Sequence, residues 1–149
     1  NQICRCTPSQ IHNYVSKLSG PLMDRIDLQI EVDNISYDEL RTKQEGETSA
    51  EIKKRINRVR ALQRERFAKD GISTNAEMGS RELAKYCQID ENCERLLKKA
   101  FEKLNLSARG TTRILKVART IADIEGSENI TPAHIAEAIQ YRGLDRKYS

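Results

Sequence analysis

"SARGTTRILKVARTIADIEG", residues 107–126, holds both ends of a helix and its buried face. Ser107 is an N-cap residue type, able to accept a hydrogen bond from an amide of the first turn. Ile114, Leu115, Val117, Ala118, Ile121 and Ala122 return with the helical period. Gly126 then stands where a left-handed residue closes a helix. A helix this apolar along one side requires neighbours, and the flanks supply them. Upstream, Asp90 caps a stretch in which Cys93, Leu96, Leu97, Ala100, Phe101 and Leu104 form an amphipathic stripe. Downstream, Thr131-Pro132 starts a last helix that should end near Gly143.

Further out, Thr48 to Glu51 forms a capping box that opens a helix to about Lys69, with Ile52, Ile56, Val59, Leu62 and Phe67 facing inward. Gly71 to Gly79 reads as a connection, and a short helix is expected from about Arg81 to Cys87. Residues 49–149 thus predict a helical bundle.

The first part of the chain has a different texture. Thr7-Pro8-Ser9-Gln10 opens a helix through Ile11, Tyr14, Val15 and Leu18, which Ser19-Gly20-Pro21 ends. After a turn at Leu22, Met23, Asp24 and Arg25 the period changes to two. Ile26, Leu28, Ile30 and Val32 alternate with Asp27, Gln29 and Glu31, the pattern of a strand buried on one side. A lone strand is not stable, and no partner strand is legible elsewhere. Residues 33–48 are polar and read as a linker. The expected fold is mainly α: a helix-turn-strand fragment, a linker, then the bundle.

With 149 residues and 38% hydrophobic content the chain can bury one core, or a core and a satellite. Its 26 Lys and Arg against 22 Asp and Glu give a net charge of +4, which permits nucleotide or nucleic-acid partners without demanding them. No apolar run approaches the roughly 18 residues that span a bilayer, and no signal-type leader is visible, so the expectation is a cytoplasmic protein without membrane contact. The chain opens on Asn1, which suggests a piece of something longer.

Two arginines stand in telling places. Arg109 lies in the first turn of the helix capped by Ser107, where the macrodipole disfavours a cation by about 0.3–1 kcal/mol. Helix N-termini bind phosphate, and an arginine there adds paired donors for its oxygens. Ser107-Ala108-Arg109-Gly110 followed by Arg113 therefore suggests a phosphate sensor; the plain alternative is a solvated surface arginine. Arg25 sits between a Gly-Pro stop and a strand, a rigid edge from which a charge can be presented. Its plain alternative is a local pair with Asp24 or Asp27.

Taken together, "LSGPLMDRIDLQIEV" at 18–32, "NAEMGSREL" and "LSARGTTRILKVARTIADIEGSENITPAHIAEAIQYR" resemble the magnesium-chelatase-like AAA+ ATPases, in their competence-associated ComM (YifB) branch. The resemblance implies that residues 1–33 are the C-terminal edge of an AAA+ α/β core, 34–48 a linker and 49–149 the helical lid. It implies that Leu22-Met23-Asp24-Arg25 supplies an arginine finger, with Arg25 acting on the neighbouring subunit's ATP and Asp24 beside it. Arg109 would be the sensor-2 arginine, with Arg113 also near nucleotide. The resemblance further implies ATP and Mg²⁺ for the full-length protein, a hexameric assembly, and DNA as the partner. No phosphate-loop motif and no Asp-Glu metal pair occur here, so this chain alone is expected neither to hydrolyse ATP nor to hold a tightly bound cofactor.

Cys4 and Cys6 could be half of a four-thiolate Zn²⁺ site, or simply two free thiols. Cys87 and Cys93 have core spacing. His12 and His134 receive no role. Residues 49–69 hold eight basic against two acidic side chains, so their net charge exceeds that of the whole chain. Lys54, Arg58 and Arg64 are the candidate DNA contacts, against the alternative of a solvated face. A standalone helical nucleic-acid-binding module without ATPase chemistry is the rival function, and a zinc-stabilised adaptor a third.

Overall fold

In the computed structural model, residues 5–17, 20–23, 25–32, 37, 41 and 46–142 are described. The protein is mainly helical. In order come α1 (Pro8–Val15), α2 (Gly20–Met23), α3 (Ser49–Arg66), a 3₁₀ turn (Asn75–Glu77), α4 (Ser80–Tyr86), α5 (Glu91–Lys103), α6 (Ala108–Glu125) and α7 (Pro132–Gln140).

The cap chemistry operates where the sequence places it. Thr7 and Gln10 close a capping box on α1, and Thr48 and Glu51 close another on α3. The Asp90 carboxylate accepts from the Cys93 amide at 2.8 Å, starting α5. Gly126 ends α6 at φ +78°, a conformation that suits glycine because it has no Cβ to clash. The last described helix, α7, ends at Gln140; Gly143 lies outside the described residues.

The core is built around α6, which packs along α7, and α5 packs on α7 as well. Cys93, Ile114, Ala118, Ile135 and Ala138 are almost fully buried there, and Phe67 closes one end against the edge of Tyr86, ring centroids 5.2 Å apart. Phe101, read as part of the α5 stripe, stays largely exposed.

α3 joins this core by polar contacts more than apolar ones. Asp123 of α6, whose side chain has no exposed surface, accepts from both terminal nitrogens of Arg66, from Asn75 Nδ2 at 2.8 Å and from Arg119 Nε at 3.0 Å. Arg119 in turn donates to the Ser127 and Glu128 carbonyls at 2.6 and 2.8 Å, pinning the loop after α6. Burial works against the Asp123 charge, but hydrogen bonds from Arg66 and Asn75 and the two guanidinium charges outweigh it. Its pKa lies below the ordinary aspartate value.

Three expectations need correction. Of the residues expected to face inward from α3, Val59 and Phe67 are buried, whereas Ile52, Ile56 and Leu62 remain 40–45% exposed. The cause is that α3 reaches α6 through Arg58, Gln63 and Arg66, in its C-terminal half. Secondly, no described residue lies in a strand. Residues 26–32 form no ladder and bend at Asp27, and the sides are inverted: Gln29 is buried while Ile30 and Val32 are 66% and 86% exposed. The physical reason is the one that makes single strands unstable: the described chain offers no second strand to pair with it or cover its apolar side. α1 also ends earlier than expected, at Val15 with Ser16 as its C-cap, so the Gly20-Pro21 pair does not stop it. Gly20-Pro21 instead opens the one-turn α2, because proline's fixed φ suits a first helical turn.

Candidate functional site

The N-terminus of α6 shapes the site. The Ser107 hydroxyl accepts from the Gly110 amide at 3.0 Å, and the first turn contains no acidic residue. Arg109 follows on this turn with its side chain exposed. Arg113 and Lys116 stand four and seven positions on, so all three cations project from one side of α6. They line a single cleft of about 560 Å³, shared with Asp27, Leu28, Ala76, Glu137 and Tyr141.

Each cation is held differently. The Lys116 ammonium donates to the Ala76 carbonyl at 2.8 Å, and burial, then the nearby charge of Arg113, hold its pKa below the ordinary lysine value. Arg113 forms an ion pair with Asp27, while its Nε is buried with no hydrogen-bond partner. The remaining carboxylate, Glu137, accepts from the Tyr141 hydroxyl at 3.3 Å. Three cations, with one acidic partner occupied by Arg113, suit an anion such as phosphate. They do not suit Mg²⁺, and among the described residues no group of three His, Cys, Asp or Glu side chains could hold a metal ion.

Arg25 is exposed, in the turn after α2, its amide donating to the Leu22 carbonyl at 2.9 Å. It does not line the cleft, but the residues that follow it do. The Ile26 carbonyl accepts from Nη1 of Arg142, a guanidinium buried to 2% exposure, at 3.2 Å. Asp27 is taken by Arg113. The Gln29 amide donates to the Tyr141 carbonyl at 2.8 Å. Arg25 therefore projects from a segment fastened to α6 and to the end of α7. Asp24 lies outside the described residues.

The candidate DNA contacts divide. Lys54 and Arg64 are exposed on α3. Arg58 donates to the Ile124 carbonyl at 2.9 Å, where a cation meets the negative end of α6. Cys6 is exposed, and Cys4 lies outside the described residues. Cys87 and Cys93 are buried in the core, each thiol pushed up to about 11 by burial.

Sequence reasoning missed several working residues. Asp27 was read on the polar side of a strand, and Arg142 received no role; both make contacts more than 80 residues away, which no local pattern encodes. His134 is buried, its Nδ1 accepting from the Thr131 amide at 3.0 Å and its Nε2 lying 2.8 Å from Glu125. The Thr131-x-x-His134 spacing was the available signal, because histidine can replace Glu or Gln in a capping box.

Comparison with known proteins adds a context. Residues 46–142 match the family model described as magnesium chelatase, subunit ChlI C-terminal, and residues 1–40 match that described as magnesium chelatase, subunit ChlI. Over 143 residues, 95% of this chain, it is 43% identical to the competence protein ComM of Haemophilus influenzae. It is 41% identical over the same length to the uncharacterized protein YifB of Salmonella typhimurium, and 29% identical over 141 residues to the uncharacterized protein Rv2897c of Mycobacterium tuberculosis. The chain spans 27–28% of the length of these relatives.

Proposed function

Because the chain belongs to the magnesium chelatase ChlI family, its C-terminal domain match covering residues 46–142, we propose that it is the lid and arginine-finger segment of an AAA+ ATPase. The carrying observation is the placement of Arg109 on the Ser107-capped end of α6, at the mouth of a cleft where Arg113 and Lys116 add positive charge. In this reading Arg109 contacts the phosphates of the nucleotide bound by its own subunit, the helix amides and its guanidinium acting together. Arg25, held out from the lid by residues 26–29, contacts the γ-phosphoryl group in a neighbouring subunit. A finger of this kind stabilises charge developing in the transition state and contributes about 10³–10⁵ in rate where it has been measured. Phosphate loop and Mg²⁺ site are assigned to the rest of the longer protein, so the chain on its own has half a site.

DNA is the proposed partner of the assembled motor. Two observations support it: one relative is named a competence protein, and α3 carries exposed Lys54 and Arg64 within its excess of basic side chains. A direct test is ATP turnover and nucleotide affinity in the full-length protein. Arg25→Ala should bind nucleotide normally and not hydrolyse it; Arg109→Ala should lose both affinity and turnover. Full turnover by either variant would remove that arginine from the site.

A further inference from the structure

Asp27 lies two residues beyond Arg25, and Arg113 lies one helical turn beyond Arg109. We infer that the ion pair between them is a positioning contact, one that makes the finger segment follow the sensor helix. This inference rests on the roles proposed above for Arg25 and Arg109.

Among the described residues, contacts to Arg113, Tyr141 and Arg142 hold residues 26–29, and they differ in kind. Arg142 to the Ile26 carbonyl and the Gln29 amide to the Tyr141 carbonyl use the strap's backbone, and both lead to the end of α7. Asp27 to Arg113 uses two side chains and leads to α6, the helix that carries Arg109. The pair is also the attachment closest to the cleft, since both partners line it. Arg113 remains 24% exposed and its Nε is an unused buried donor, so Asp27 holds the guanidinium at its terminal end and not through Nε. Any displacement of the α6 N-terminus when Arg109 engages an anion is then passed through Arg113 to Asp27 and on to Arg25. One subunit's nucleotide state thereby sets how its finger meets the neighbour's ATP.

On this view the pair positions the finger, and Asp27, which is not one of the cleft's cations, separates that role from the anion contact of Arg109 in kinetics. In the full-length protein, Asp27→Asn and Arg113→Gln should each lower kcat roughly ten- to a hundred-fold, the scale expected of a misplaced catalytic group. KM for ATP should stay within about two-fold in Asp27→Asn and the unfolding temperature should be unchanged, because the cleft cations and the core are intact in that variant. The double variant should be no slower than either single one, since both remove the same contact. Exchanging the charges, Asp27→Arg with Arg113→Asp, should recover part of kcat. Additive losses in the double variant, or a raised KM with normal kcat, would overturn the inference. So would normal turnover in both single variants alongside an inactive Arg25→Ala, an outcome that leaves the finger assignment standing. An active Arg25→Ala removes the finger assignment and the inference with it.

Discussion

Arg66 grips Asp123 with both terminal nitrogens, joining α3 to α6 inside the core. The carboxylate is fully buried and also receives Asn75 and Arg119. Removing one member strands the others. Asp123→Ala leaves two guanidinium groups without their counter-charge and should destabilise the chain by about 3–5 kcal/mol in urea unfolding. A loss under about 1 kcal/mol would mean that the network does not hold α3 in place.

The same carboxylate sets an acid limit. Its folded-state pKa is depressed, so its stabilisation is complete above the unfolded aspartate value of about 3.9 and is lost as pH falls through the lower folded value. Asp90, depressed by the Cys93 amide and further Cys93 contacts, acts in the same direction. Urea midpoints should therefore be steady from neutral pH to mildly acidic conditions and fall below about pH 4. A midpoint that rises on acidification would contradict the sign.

The thiols divide by burial. Cys87 and Cys93, with thiols pushed up to about 11, are both enclosed and protonated at about pH 8. Iodoacetamide followed by peptide mass mapping should modify exposed Cys6 in the folded chain and reach Cys87 and Cys93 only in denaturant. Rapid native labelling of either would place the α4–α5 core in exchange with open states.

For DNA, Arg58 is a poor probe because its guanidinium already serves the end of α6. Lys54→Glu with Arg64→Glu tests the exposed face without touching that hydrogen bond. In the full-length protein this pair should weaken DNA binding and reduce the salt slope by about 0.9 for each phosphate no longer neutralised, with basal ATP hydrolysis retained. An unchanged slope would return α3 to the role of a solvated surface.

Helix caps were the most legible feature of the sequence, because Thr48, Asp90 and Ser107 act on amides within three residues of themselves. The stripe from Ile114 to Ala122 was legible for the same local reason. Long-range electrostatics was not: neither the Asp123 cluster nor the Asp27–Arg113 pair has any spacing rule, since α3 and the strap approach α6 only after folding. The period-two pattern at 26–32 predicted a strand buried on one side, and neither the strand nor the burial of its apolar side is found. Its pairing could not be read, since a ladder needs a second strand. At the site, the exposed arginine on a capped N-terminus was visible as an electrostatic misfit, whereas the cleft around it needed Ala76 and Tyr141 brought from other elements.

The division of labour between Arg25 and Arg109 is tested most directly by mixing inactive subunits of the full-length protein. An Arg25→Ala subunit keeps its own phosphate loop and can use a finger donated by its neighbour; a phosphate-loop variant keeps Arg25 and can be that neighbour. Mixed assemblies of these two should regain ATP turnover. Arg109→Ala mixed with the same phosphate-loop variant should stay inactive, since every subunit then has a defect in its own site. Absence of recovery in the first mixture, with native mass spectrometry confirming mixed assemblies, would contradict a finger that acts across the subunit boundary.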